Sequence, residues 1–356
     1  FRRWYSQAGT PLLRVSDEYD EGARTYTLRV EQSCPPTPGQ SDKEPFVIPV
    51  AMGLLGDAGN LRLRLAGDDG EPETDDNTHR VLVLNEARQS FVFEDVPEHP
   101  VPSLLRGFSA PVRLEYNYSR GDLRALMSRD DDGFVRWDSA QALAAQVISE
   151  VEGHLRRGAD AVVDPLLIDA CGDLLRDDSL DPAMVAEMLN LPSENYLAEL
   201  ASQGEGADVD TIHAAREAVR RAIGQALQEP LPETSERLAG TASYAPDAGQ
   251  IAARALRNTC LAYLGCADPA HQVLAARQFH SAGNMTDRMA ALRVIAWHGE
   301  HAARDATLEQ FYADWRHEAL VVNQWLQLQA AMPDEDALAR VRALMDHEAF
   351  ELRNPN

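Results

Sequence analysis

Through the first 118 residues, apolar and polar side chains alternate with a period of two. Tyr26, Leu28 and Val30 are interleaved with Thr25, Thr27, Arg29 and Glu31, and Leu61, Leu63 and Leu65 with Arg62 and Arg64. Val112, Leu114, Tyr116 and Tyr118 alternate with Arg113, Glu115 and Asn117, while Gln89, Phe91 and Phe93 share one side. Successive side chains of a strand point to opposite faces, so each run predicts a strand with one face buried and one wet. Adding residues 12–15, 46–54 and 81–84 gives about seven short strands between Gly, Pro and Asp turns. That count and spacing predict a small antiparallel β-sandwich of the Ig or fibronectin kind. Pro49 cannot donate to a ladder, which predicts an edge position or a bulge for its strand. The run carrying Pro97, Pro100 and Pro102 precludes regular helix and predicts a crossing between sheets.

After Tyr118 the period becomes helical. Phe134, Trp137, Leu143, Ala144, Val147, Ile148, Val151 and Leu155 fall at three-to-four spacing. They predict one buried stripe, with Arg136, Glu150, Glu152 and Arg156 facing water. Asp164-Pro165, Asp181-Pro182 and Asp268-Pro269 each place a side-chain acceptor at an N-cap and a ring without an N–H at the first helical position. With Asp210, Thr286 and Asp334 as further caps, the region divides into about ten helices. Residues 229–249, with Pro230, Pro232, Gly240, Pro246 and Gly249, read as the clearest loop, with room for a short helix. No fixed-period repeat is present, yet stacking in pairs is how amphipathic helices bury their stripes. The expectation is an all-α array of paired helices, an ARM/HEAT-like superhelix. Residues 1–118 are thus expected to form a linker and β-sandwich domain, and residues 119–356 an α-helical domain. Trp297, Trp315 and Trp325 sit on helical faces as packing anchors.

Composition narrows the function classes. A chain of 356 residues, 44% hydrophobic and 25% charged, is long enough for two or three cores. The net charge of -24, with an acidic excess on both sides of Tyr118, argues against a nucleic-acid partner, which needs a basic footprint to release counterions. No apolar run approaches the roughly 20 residues that span a bilayer, so no membrane partner is expected. Cys34, Cys171, Cys260 and Cys266 form no C-x-x-C pair and read as free thiols of a cytoplasmic protein.

Candidate metal chemistry fails on spacing. A helical zinc peptidase motif needs two His one turn apart around a Glu. His317-Glu318 is followed by Val321 at the position of the second His, and His347-Glu348 by Glu351; both read as pairs on helix surfaces. His298-Gly299-Glu300-His301 has a metal-like spacing, but Gly299 favours a helix end or loop there. The acidic tract over residues 67–77 lacks the alternating ligands and closing Glu of an EF-hand and reads as a solvated loop. No catalytic, cofactor-binding or metal-binding residue is therefore expected in this chain.

Several uncommon strings occur in a recognisable order. They include Phe1-Arg2-Arg3-Trp4-Tyr5-Ser6-Gln7-Ala8-Gly9-Thr10-Pro11, Glu44-Pro45-Phe46-Val47-Ile48-Pro49, Gly107-Phe108-Ser109-Ala110-Pro111 and Gln278-Phe279-His280-Ser281-Ala282-Gly283-Asn284-Met285-Thr286-Asp287. Together with Leu191-Pro192-Ser193-Glu194-Asn195, they resemble the C-terminal region of bacterial aminopeptidase N, the alanyl aminopeptidase type of thermolysin-like zinc metallopeptidase. The resemblance runs essentially end to end and is weakest over residues 201–249. It implies a β-sandwich followed by a helical domain that closes over an active-site cavity, scaffolds it and gates access. It places the zinc and every catalytic residue upstream of Phe1, in the parent's catalytic domain. It also implies that the helical domain continues past Asn356, which predicts exposed apolar surface near that end. The implied partners are the catalytic domain of the same polypeptide and the parent's peptide substrates.

A different class, a free-standing interaction module that docks a peptide along a concave helical scaffold, fits the same pattern of elements. A third, an unrelated hydrolase, finds no Gly-x-Ser-x-Gly, P-loop or dinucleotide fingerprint in the sequence.

Overall fold

The alternating part of the chain folds into two sheets packed face to face. Its strands are β1 (Leu12–Asp20), β2 (Thr25–Ser33), β3 (Ile48–Gly56), β4 (Gly59–Asn60), β5 (Arg80–Leu84), β6 (Arg88–Phe93), β7 (Val101–Leu104) and β8 (Arg113–Glu115). One sheet has the order β6-β2-β1-β8; in the other, β3 pairs with β4, β5 and β7. All pairings are antiparallel except β1 with β8, where Leu13 lies opposite Leu114 in a parallel register. The computed structural model describes residues 2–68, 77–202, 206–240 and 243–354. They divide into two compact units, Phe1–Gln146 and Val147–Asn356.

In the first unit, Tyr26, Leu28 and Phe93 from one sheet and Ile48, Met52 and Leu54 from the other are fully buried in one core. Each such side chain contributes roughly 1.5–3 kcal/mol by leaving water. β3 departs from alternation because both its faces are covered: Val50, Met52 and Leu54 face the sandwich core, whereas Leu55 packs with Leu126 and Val135. Those two residues come from α2 (Arg120–Arg129) and α3 (Gly133–Arg156), which follow the short α1 (Arg3–Ser6). Ser119 and Asp122 form a capping box at the start of α2. The division between the units falls within α3, beyond the change of period at Tyr118.

Two details of the first unit differ from expectation, and a third, the edge position of Pro49, agrees with it. Residues 61–65 form no strand; the segment is tied by one bridge, Leu65 to Phe93, by the Leu61 N–H bonded to the Leu54 carbonyl and by the Leu63 N–H bonded to the Asn77 carbonyl. Leu63 is fully buried and Leu61 and Leu65 pack half-buried against the same core, so the alternation marks core-facing positions without a continuous ladder. Conversely, Pro102 lies within β7, because its register opposite Leu54 leaves β7 an edge strand. Pro49 lies opposite Val83 in the part of β3 that pairs only with β5.

The second unit is helical: α4 (Pro165–Arg176), α5 (Pro182–Leu189), α6 (Glu194–Ser202), α7 (Val209–Ala226), α8 (Pro230–Arg237), α9 (Ala248–Ala267), α10 (Gln272–Ser281), α11 (Met285–His298), α12 (His301–Trp315), α13 (Ala319–Ala330) and α14 (Ala337–Met345). α9 is the hub and packs against α5, α7, α8, α10 and α11. Gly224 of α7 lets the two helix backbones meet, since a Cβ there would lie 2.5 Å from the Tyr263 carbonyl oxygen. A second core gathers Phe279, Leu292, Phe311 and Trp325 from α10 to α13, and the Trp325 indole donates to the Leu308 carbonyl at 3.0 Å. Leu338, Met345 and Leu352 near the last described residues are exposed.

Asp164, Asp181 and Asp268 cap as their Asp-Pro pairs predict, each accepting from the N–H two residues on. The other caps fall elsewhere. Asp208 rather than Asp210 accepts from Thr211 N, and Asn284 rather than Thr286 accepts from Asp287 N. Asp334 instead binds Arg340 at 2.6 Å and Arg304 at 3.3 Å. Pro230 and Pro232 stand in the first turn of α8, where a missing N–H costs nothing. Glu152 is buried, paired with Arg156 at 2.6 Å, rather than facing water.

Candidate functional site

In the second unit, every other helix from α5 to α13 contributes to a concave cavity of about 720 Å³. Helices α6, α8, α10 and α12 contribute nothing to it, so the paired array has a lining layer and an outer layer. α7 is set by the Asp208 cap and buries Ile212, Ala215, Val219 and Ile223. This register brings Arg216 and Arg220, one turn apart, to the cavity wall. Arg216 donates to the Pro192 carbonyl at 2.7 Å and the Leu191 carbonyl at 3.3 Å, locking the segment after α5 to α7. The Tyr263 hydroxyl of α9 donates to the Leu189 carbonyl at 2.5 Å beside it. α11 adds Arg293 and, one turn later, Trp297.

The electrostatics of this wall run against those of the chain. Arg216, Arg220 and Arg293 line it, and no Asp or Glu does. Glu217 sits behind the wall, 3.3 Å from Arg216 and 3.2 Å from Arg220. Burial, together with the neighbouring Arg220 charge, draws Arg216 below the ordinary arginine range. Burial also lowers the pKa of His298, which favours its neutral imidazole. The buried Trp297 indole N–H has no hydrogen-bond partner among the described residues.

The residues singled out for metal chemistry do not converge. His298 ends α11 and His301 begins α12, with Gly299 and Glu300 forming the break between them. His317 and Glu318 lie in the turn before α13, and His347 and Glu348 in the turn after α14, so neither pair is on a helix. The second turn is fixed by Tyr312, whose ring meets the His347 edge and whose hydroxyl donates to Glu348 at 3.0 Å. Of the acidic tract, residues 69–76 lie outside the described residues; Asp68 pairs with Arg80, whose guanidinium holds its carboxyl below the usual range. Among the described residues, no three His, Cys, Asp or Glu side chains come together as metal ligands. These residues do not fit a zinc centre. No helix among them is long and apolar enough to cross a membrane.

The cationic wall was not singled out from the sequence. Its only linear signals are the spacings Arg216 to Arg220 and Arg293 to Trp297, each four residues, which any amphipathic helix can carry.

Comparison with known proteins places the whole chain. A family model described as a domain of unknown function with ARM repeats (DUF3458_C) matches residues 120–356, and one described as a domain of unknown function with an Ig-like fold (DUF3458) matches residues 9–117. Aminopeptidase N of Escherichia coli K12 is 38% identical over all of this chain and 40% of its own length. The Haemophilus influenzae protein of the same name is 36% identical over all of this chain and 40% of its own. A crystal structure of Legionella pneumophila aminopeptidase A in complex with aspartic acid superposes with a TM-score of 0.81 at 28% identity, covering 99% of this chain and 39% of that one. The chain thus spans about two fifths of the length of the curated relatives it matches. With both halves matched in order and the fold reproduced, the chain belongs to the DUF3458 and DUF3458_C family, an Ig-like domain followed by ARM repeats, and is homologous throughout to part of aminopeptidase N.

Proposed function

We propose that this chain is the non-catalytic, C-terminal part of a zinc metallo-aminopeptidase that removes N-terminal residues from peptides. In this reading, residues 1–118 are the linker and sandwich domain, and residues 119–356 the helical domain that encloses the catalytic cavity and gates substrate access. The carrying observation is similarity over the full chain to about 40% of aminopeptidase N, combined with the lack of a metal-ligand cluster among the described residues. The physical role follows from enclosure: excluding water strengthens electrostatic stabilisation of a tetrahedral intermediate, and a wall keeps folded proteins from the scissile bond. The upstream catalytic domain and peptide substrates are its partners. Four unpaired cysteines support a reducing, cytoplasmic setting.

The test is a chimera carrying this chain in place of the matching segment of the Escherichia coli relative. It should cleave an aminoacyl reporter with zinc bound, while the isolated chain binds no stoichiometric zinc and cleaves nothing. A folded but inactive chimera, or hydrolysis by the pure chain, would overturn the reading.

A further inference from the structure

A chain with a net charge of -24 folds a cavity whose wall carries three guanidinium groups and no carboxylate. Glu217 compensates one of the charges contributed by Arg216 and Arg220. Arg293 is exposed and makes no ion pair or hydrogen bond among the described residues. The wall therefore carries a surplus of two positive charges over the one carboxylate beside it. Guanidinium forks match planar oxyanions, to which they can donate two parallel hydrogen bonds.

The volume bears on what carries that anion. About 720 Å³ is the size of a site for an organic ligand of roughly 300–1,000 Å³ rather than for a lone ion. The ring of Trp297 and the side chains of Met289 and Leu328 supply apolar wall beside the arginines. A ligand with apolar bulk and one terminal oxyanion satisfies both features.

We propose that this cavity binds the C-terminal carboxylate of a peptide, with Arg293 and Arg220 as the recognising groups, the Trp297 ring as apolar wall beside them and Arg216 as the positioning residue behind them. The peptide part rests on the functional reading above: an enzyme acting on N-termini meets side chains of every kind, whereas the far carboxylate is common to all unmodified substrates. The site thus grips the end opposite to the one cleaved. Amidated peptides lose the charge that the wall selects.

The test uses the 356-residue chain and a pair of N-acetylated peptides of identical sequence, one ending in a free carboxylate and one in an amide. Binding is followed by calorimetry and by tryptophan fluorescence, with Trp297→Phe removing the optical signal if the cavity is the site. The acid form should saturate the chain, the amide should bind about tenfold to a hundredfold more weakly, as expected for losing charge-assisted hydrogen bonds, and added salt should weaken the acid form. Arg293→Glu should abolish the preference for the acid while leaving the circular dichroism unchanged, since Arg293 makes no ion pair or hydrogen bond among the described residues. Equal binding of acid and amide, or no saturable binding of either, would overturn the proposal. Competition by inorganic phosphate as strong as that by the peptide would also overturn it, by making the site a general anion site. The chimera separates the two readings: an active chimera whose chain shows no acid preference sinks this inference alone, and acid-selective binding with an inactive chimera sinks the functional reading alone.

Discussion

Replacing Arg106 with Ala tests what fastens the first helices to the sandwich within the N-terminal unit. The Arg106 side chain is 3% exposed and that of Asp130 is 0% exposed, and the two meet at 3.2 Å. The guanidinium also donates to Ser103 Oγ at 2.7 Å and to Asn60 Oδ1 at 2.8 Å. It lies flat on Gly53, where a Cβ would come within 2.4 Å of its central carbon. Asp131, the other ionic partner at 3.2 Å, is 61% exposed, so water would replace its bond at small cost. The dominant loss is Asp130, left as a buried carboxylate without its cation, a defect that costs about 3–5 kcal/mol. Arg106→Ala should therefore raise hydrogen exchange in β3 and β7 by roughly a hundredfold or more.

The pH dependence supplies the control. Burial already raises the Asp130 carboxyl above its ordinary range, and the Arg106 charge opposes that rise. Without the arginine the folded-state pKa climbs further, so the folded variant holds a proton that the unfolded chain has released. A raised carboxylate pKa costs stability progressively as pH increases from the unfolded value to the folded one. The deficit should be fullest near pH 7 and shrink on acidification, by up to about 1.4 kcal/mol per pH unit. Arg106→Ala with Asp130→Asn should recover much of the loss at pH 7. A deficit below about 1 kcal/mol, or one unchanged between pH 5 and pH 7.5, would refute the assignment of the cost to a stranded carboxylate.

Other expectations follow from the same geometry. Burial pushes the thiols of Cys171 and Cys260 up to about 12, and that of Cys266 to about 11, so native alkylation at pH 8 should modify Cys34 first and all four only after unfolding; early labelling of Cys171 would contradict the packing. Asn284→Ala removes the acceptor for Asp287 N and should cost about 1 kcal/mol, read as faster exchange confined to α11. Phe311→Ala empties a fully buried position between α10 and α13 and should cost about 3–5 kcal/mol, lowering the melting transition of the C-terminal unit.

What the sequence revealed depended on how local the physics was. The Asp-Pro caps were legible because acceptor and ring are adjacent in the chain, and residue 164, 181 or 268 needs no tertiary knowledge to act. Thr286 reads as the cap of α11 from the sequence, and the chain's path into the helix places Asn284 there instead. β3 lost its alternation because α2 and α3 cover its second face at Leu55, a fact about packing, and β7 hid behind two prolines that an edge strand tolerates. That the His half-motifs lack the second His, with Val321 and Glu351 at its place, is likewise a matter of spacing along the chain.

The cationic wall was beyond reach for a physical reason as well. Net charge is a sum over the whole surface, whereas a bound group responds chiefly to charges within a few ångströms. Two unit charges 4 Å apart interact by about 4 kcal/mol at an effective dielectric of 20, while exposed charges beyond roughly 8 Å are largely screened at physiological salt. A total of -24 therefore argues against a ligand that spreads many phosphates across the surface. It has little bearing on a single carboxylate held against Arg220 and Arg293, which lie on different helices and acquire a shared field only when α7 and α11 pack on α9.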